Sequence, residues 1–165
     1  MQASHDFSEE TTGETANAGF GPDEIKAVGE GLYAAKVISY TQGFSLLKKA
    51  SDTYQWMLDL GTIARIWRKG CIIRSAFLTD ITAAYHNNPV LENLLFDPFF
   101  QKKMKSILPA LRTVLADGVM HGVALPCFSA ALSYFDGLRT RDSAASLIQA
   151  QRDYFGAHTY ERTDE

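Results

Sequence analysis

Chemistry concentrates at the C-terminal end of this chain. The segment Gln149-Ala150-Gln151-Arg152-Asp153-Tyr154-Phe155-Gly156-Ala157-His158-Thr159-Tyr160-Glu161-Arg162 gathers an arginine, a histidine and three aromatics around a helix end. Arg152 offers a planar fork that matches two phosphate oxygens, and His158 adds a second donor six residues on. Read this way, the segment is an anion-binding arm. The plainer reading is a tail whose aromatics staple it to its own core, with Arg152 paired to Asp153 or Glu161. So much aromatic surface needs something to dock on, and a partner subunit would serve.

Other candidates are weaker. Gly29-Glu30-Gly31-Leu32-Tyr33-Ala34 fits the GxGxxA dinucleotide fingerprint. That chemistry requires a preceding strand and a helix N-terminus at the glycines, and here the glycines fall inside a helical pattern. Arg65, Trp67, Arg68, Lys69 and Arg74 form a basic cluster with an aromatic, suited to a phosphate or to carboxylates at a packed surface. Cys71, His86, His121 and Cys127 are too scattered for a metal motif. No metal site and no cofactor site is expected in this chain.

The elements that carry these residues read as helices throughout. Ile25, Val28, Leu32, Ala35 and Ile38 recur at spacings of three and four, and Phe44, Leu47 and Ala50 continue the stripe. One long amphipathic helix is predicted from Asp23 to Thr53, with Pro22 as its start signal and Gly43 marking a close backbone approach. Shorter helices are predicted at Leu60–Arg68 and Ile73–Tyr85, followed by a turn at Asn87-Asn88-Pro89. Asp97-Pro98 opens the next helix with a cap and a first-position proline. Its stripe is Phe100, Met104, Ile107, Leu111 and Val114, and Pro109 should kink or split it. Gly118 and Gly122 close that helix, Pro126 opens another to Leu138, and a last one runs from Ala144 to Tyr154. No stretch alternates with a period of two for long enough to make a strand. The expected class is all-α, a multi-helix single domain with one long N-terminal helix and an extended C-terminal tail. Its expected divisions are an acidic arm over 1–21, a helical domain over 22–155 and a docking tail over 156–165.

Composition excludes several classes. The chain has 165 residues, 46% apolar and 21% charged, which suits one globular core. Its net charge of −3 argues against a nucleic-acid binder acting through bulk charge. Six acids and no Lys or Arg lie between Met1 and Glu24, so the remainder holds 13 acids against 16 bases. No window reaches the length of a membrane span, and no signal-peptide profile opens the chain. Two cysteines without a CxxC pair make no disulfide framework. A cytoplasmic location is the expectation.

Three ordered motifs carry a family resemblance. Leu32-Tyr33-Ala34-Ala35-Lys36-Val37-Ile38-Ser39-Tyr40-Thr41-Gln42-Gly43-Phe44 resembles the LYASKIISYAQGF helix of decarboxylating 6-phosphogluconate dehydrogenases. Ile66-Trp67-Arg68-Lys69-Gly70-Cys71-Ile72-Ile73-Arg74-Ser75 resembles that family's IWRxGCIIRS block. The run from Leu147 to Arg162 resembles its C-terminal signature, and Asn88-Pro89, Asn93-Leu94-Leu95 and Pro126-Cys127-Phe128 fall in order between. The similarity extends from about Asp23 to Arg162.

The resemblance implies an NADP-dependent oxidation of 6-phosphogluconate with loss of carbon dioxide to ribulose 5-phosphate, in the pentose phosphate pathway. It implies a homodimer whose tail reaches into the neighbouring subunit, where the positions of Arg152 and His158 contact substrate, the arginine at the phosphate. The family's dinucleotide-binding domain and catalytic Lys and Glu lie upstream of the matched segment, so this chain alone is expected to be inactive. Where the family has LPAN before LIQAQRD, this chain has Asp142-Ser143-Ala144-Ala145-Ser146. Two other readings are a non-catalytic helical interaction module and half of a split enzyme complemented by a separate Rossmann chain.

Overall fold

The computed structural model describes residues 21–70 and 75–162. Six α-helices account for most of them: α1 Pro22–Tyr54, α2 Leu60–Gly70, α3 Leu78–Asn87, α4 Pro98–Met120, α5 Pro126–Arg139 and α6 Ala145–Gly156, with a short 3-10 helix at Leu94–Phe96. No strand occurs among the described residues. The all-α expectation holds. The chain divides into two compact units, one ending at Leu132 and the other beginning at Ser133. The expected acidic arm, Cys71 and Arg74 lie outside the described residues.

In the first unit α1 packs along α4, α2 pairs with α3, and the 3-10 helix lies against both α1 and α4. The long helix forms as the sequence predicts, and of its predicted stripe Ala35, Ile38 and Phe44 are buried and Leu47 and Ala50 half-buried, whereas its first turns depart from the prediction. Gly31, Ala34, Ala35, Val37, Ile38, Thr41 and Phe44 face the core, while Ile25, Val28 and Leu32 are exposed. The reason is the small residues. A Cβ on Gly31 would lie 3.3 Å from the Leu111 Cα, so the two backbones nearly touch there. The helix face that allows this approach becomes the core face, and Ile25, Val28 and Leu32 in the first turns lie off it. Gly43, expected to mark the close approach, has nothing within 4 Å of where a Cβ would lie. Thr41 is tolerated in the core because its hydroxyl donates to the Val37 carbonyl at 2.9 Å.

Edge-to-face and tilted rings tie α1 to α2 and α3. Tyr40 meets Phe77 at 4.8 Å between centroids, Phe44 meets Trp67 at 5.2 Å, and Phe44 meets Tyr85 at 5.5 Å. Such geometry lets the positive ring edge face the negative ring face. Phe77 joins this stack just before α3 begins at Leu78. The predicted start at Ile73 falls outside the described residues.

Asp97 caps α4 as expected, its Oδ1 accepting from the Phe99 and Phe100 amides at 2.9 and 3.2 Å. Phe100, Met104, Ile107 and Leu111 are buried, and Val114 is half-buried. Pro109 does not split the helix, which continues through it to Met120. Gly118 stays inside α4, covered by the Leu125 side chain, and Gly122 takes the left-handed turn after it at φ +69°.

Candidate functional site at the end of the last helix

In the second unit, α6 begins after Ser143, whose hydroxyl accepts from the Ala145 amide at 3.3 Å. Ala, Leu, Gln and Arg dominate its body, and all are strong helix formers. The helix buries none of its residues. Leu147 is 75% exposed, Ile148 58%, Tyr154 88% and Phe155 80%, with the last two rings packed edge to face on each other. Large apolar side chains rarely line one element so openly unless something covers them.

The helix stops in a tight turn. Ala157 takes φ +50° and donates its amide to the Asp153 carbonyl at 2.7 Å, and Thr159 takes φ +58°. Left-handed backbone at a β-branched residue is an outlier costing about 1–3 kcal/mol, sustained only where the surroundings over-determine it. They do so here. The Asp153 Oδ1 accepts from the Thr159 amide at 2.7 Å, and the Gln149 Nε2 donates to the Thr159 carbonyl at 2.7 Å. Between the two strained residues, the His158 ring folds over Gly156, where a Cβ would sit 3.0 Å from its Nε2.

Arg152 lies on α6 as an exposed side chain, three residues after Gln149, and His158 is exposed two residues beyond the helix end. No contact joins their side chains among the described residues, but both belong to the same short turn-ended segment. The alternative pairing of Arg152 with Asp153 or Glu161 is not made: among the described residues Arg152 has no ion pair, and the Asp153 carboxylate faces the tail backbone instead. Gln149, Asp153, Gly156 and Thr159 are therefore the supporting residues that side-chain chemistry in the sequence did not single out. Their signal was present as spacing, with a donor and an acceptor four apart on one helix face and a glycine at its end.

The remaining candidates resolve differently. Gly29 and Gly31 sit within α1, far from its start, and Gly31 serves the contact with α4. A dinucleotide pyrophosphate needs glycines at a helix N-terminus, so these residues do not fit one. In the basic cluster, Trp67 belongs to the aromatic core and Arg68 donates to the Thr79 hydroxyl at 3.2 Å, while Arg65 is exposed. Among the described residues no three metal-ligating side chains converge. His121 bonds the Asp117 carbonyl at 2.8 Å, and Cys127 is an exposed thiol. No helix of the described residues is long and apolar enough to cross a membrane.

A cleft of about 350 Å³ in the first unit is lined by Met57, Leu58, Asp59, Leu60, Tyr85, His86 and Pro89. Asp59 caps α2 there, accepting from the Thr62 amide at 2.9 Å and its hydroxyl at 2.7 Å. Those bonds hold the Asp59 carboxyl below its usual range, and the nearby His86 helps. Burial pushes the Tyr85 phenol up, and its hydroxyl has no hydrogen-bond partner among the described residues. On α1, burial raises the Tyr33 phenol with help from the Asp80 carboxylate, and the Lys103 ammonium lies 5.3 Å from the Tyr33 ring centroid.

Fold and site together define an all-helical domain that ends in an exposed arm bearing an arginine and a histidine. The whole chain, residues 1–165, matches the family model described as 6-phosphogluconate dehydrogenase, C-terminal domain. The chain belongs to the 6-phosphogluconate dehydrogenase family, as part of its C-terminal domain. It is 52% identical over 143 residues to the decarboxylating 6-phosphogluconate dehydrogenase of Staphylococcus aureus strain N315, covering 87% of this chain and 31% of that protein. The corresponding enzyme of Staphylococcus epidermidis strain ATCC 12228 is 51% identical over 140 residues, covering 85% of this chain and 30% of its own length. Among solved structures, a Plasmodium falciparum 6-phosphogluconate dehydrogenase superposes with a TM-score of 0.84 at 42% identity, covering 99% of this chain and 36% of that one. That enzyme was determined in its apo form, with its cofactor NADP+ and with its substrate 6-phosphogluconate. This chain thus spans about a third of the length of the relatives it matches.

Proposed function

We propose that this chain supplies the subunit interface and the phosphate-binding arm of an NADP-dependent, decarboxylating 6-phosphogluconate dehydrogenase. One observation carries the reading: α6 presents Leu147, Ile148, Tyr154 and Phe155 to solvent beside an arginine that no described carboxylate neutralises. A second subunit covers the apolar side chains in this reading, giving a homodimer, and the 6-phosphogluconate phosphate takes up the arginine. Arg152 grips two phosphate oxygens through parallel N–H donors, and His158 gives a further donor to the sugar acid. Both act by binding and orienting the substrate, with no proton or hydride passing through them.

In the complete enzyme NADP is the oxidant. The glycines of α1 are not arranged to hold it, and the family resemblance puts the dinucleotide site and the groups that move protons in sequence upstream of the segment matched here, on the same or a separate chain. The proposed divisions remain an arm over 1–21, a helical domain over 22–155 and a docking tail over 156–165. A reducing cytoplasm suits the free Cys127 thiol.

The test is reconstitution with the upstream two thirds of the Staphylococcus aureus relative. Arg152→Ala should raise KM for 6-phosphogluconate roughly ten- to a hundredfold, the worth of a hydrogen bond to a charged group, with KM for NADP unchanged. Arg152→Lys should recover only part, because a point charge lacks the fork. An unchanged KM for 6-phosphogluconate in folded, assembled Arg152→Ala would refute the phosphate role.

A further inference from the structure

We propose that Gln149 and Asp153 are positioning residues of the substrate arm, clamping Thr159 so that the turn holding His158 stays closed against the end of α6. The inference rests on the phosphosugar reading above and names the residues that preorganise its arm. Thr159 has one backbone donor and one backbone acceptor, and a side chain of α6 takes each. Asp153 accepts from its amide at 2.7 Å and Gln149 donates to its carbonyl at 2.7 Å. The two side chains lie one helical turn apart on one face, so together they fix the position and the direction of that peptide.

Such a clamp has work to do, because the backbone it holds is not one the residues favour. Ala157 at φ +50° and Thr159 at φ +58° bracket His158 on both sides. Released, both would relax toward extended backbone, and the imidazole between them would leave the helix end. Gly156 completes the seat. With no side chain, it lets the His158 ring close over it, whereas a Cβ would lie 3.0 Å from Nε2 and 3.1 Å from Cδ2. The clamp also bears on Arg152. Asp153 is its chain neighbour and the nearest carboxylate in sequence, yet that carboxylate is turned to the Thr159 amide. The guanidinium is thereby left for an external anion. A site on an irregular turn is only as exact as the residues that support it, and two hydrogen bonds from a regular helix supply that support.

The experiment is NMR on the isotope-labelled full chain, with binding of 6-phosphogluconate and, separately, inorganic phosphate read on that chain reconstituted with the upstream two thirds of the Staphylococcus aureus relative. In Gln149→Ala and Asp153→Ala, the contact between the His158 ring and the Gly156 α-protons should vanish and the Thr159 amide should exchange faster, with signals of α1 to α4 unmoved. Affinity for 6-phosphogluconate should fall about tenfold, the loss expected when a fixed donor is set free. Asp153→Asn keeps an acceptor oxygen and should restore both the turn and the affinity. Gln149→Glu keeps the length but has no donor for the Thr159 carbonyl and should restore neither. If Arg152→Ala and His158→Ala weaken binding while Gln149→Ala and Asp153→Ala leave it intact, the positioning role is overturned and the phosphosugar reading stands. If Arg152→Ala and His158→Ala leave binding unchanged, or the reconstituted parent gives no response, the phosphosugar reading fails and the positioning role falls with it.

Discussion

The contact between α1 and α4 makes a sharp prediction about two glycines in one helix. At Gly31 an added Cβ lies 3.3 Å from the Leu111 Cα, 3.5 Å from the Leu111 nitrogen and 3.6 Å from the Ala110 carbonyl carbon. These are backbone atoms of a packed helix, so no rotamer change moves them aside. Gly31→Ala gains about 1 kcal/mol of helix propensity and loses a comparable amount by forcing the helices apart by a few tenths of an ångström. Its net effect should lie near zero. Gly31→Val adds two further methyl groups to a Cβ whose nearest neighbours are already backbone atoms, and gains less propensity. Overpacking of this kind costs about 1–3 kcal/mol. Gly43, twelve residues on in the same helix, has nothing within 4 Å of a Cβ. Gly43→Ala should therefore keep the full propensity gain of about 1 kcal/mol. For a chain of this size each kcal/mol moves Tm by about 2–4 °C. Thermal unfolding of the full chain followed by far-UV circular dichroism should place Gly31→Val below the parent and Gly43→Ala above it. A Gly31→Val protein as stable as the parent would refute the close approach. A loss in Gly43→Ala as large as in Gly31→Val would show that the approach lies where the sequence alone suggested.

Four further outcomes are expected. Asp97→Ala removes the acceptor of two α4 amides and should cost about 1 kcal/mol in urea unfolding, with Asp97→Asn recovering most of it. Tyr85→Phe deletes a buried hydroxyl without a partner among the described residues and should leave stability unchanged or raise it by about 1 kcal/mol, measured the same way. Asp59 has its folded-state pKa lowered, so its stabilising contribution is present above the unfolded-state pKa and is lost as pH falls through the folded one. Asp59→Asn should thus shrink the acid-side loss of stability and leave its neutral-pH slope unchanged, read from urea midpoints across pH. Replacing Tyr154 and Phe155 together with Ser should convert a dimer to a monomer in sedimentation velocity at micromolar concentration. A parent chain that sediments only as a monomer would remove the proposed role of α6 as an interface between copies.

Helix identity and order were legible in the sequence because they rest on local signals. The Pro22 start, the Asp97-Pro98 cap, the Pro126 start and the apolar spacing of Phe100, Met104, Ile107 and Leu111 each act within a few residues. Family membership was legible for a similar reason, since three motifs in fixed order survive whatever packs against them. Arg152 and His158 came from that resemblance and from their chemistry, and Gly156 and Ala157 end the helix between them as a turn requires. Tertiary structure decided the rest. The predicted stripe of α1 enters the core from Ala35 on, and only α4, approaching at Gly31, determined that Gly31 and Ala34 face it while Ile25, Val28 and Leu32 do not. Pro109 was expected to kink or split its helix, and with Phe100, Met104, Ile107 and Leu111 in the core the helix is not split there. The partner of Asp153 is likewise a matter of three dimensions: sequence proximity favoured Arg152, and the left-handed turn at Ala157 brought the Thr159 amide instead. Spacing along a chain fixes which side chains share a helix face, whereas which face is buried and which acceptor meets which donor depend on the backbone that arrives opposite.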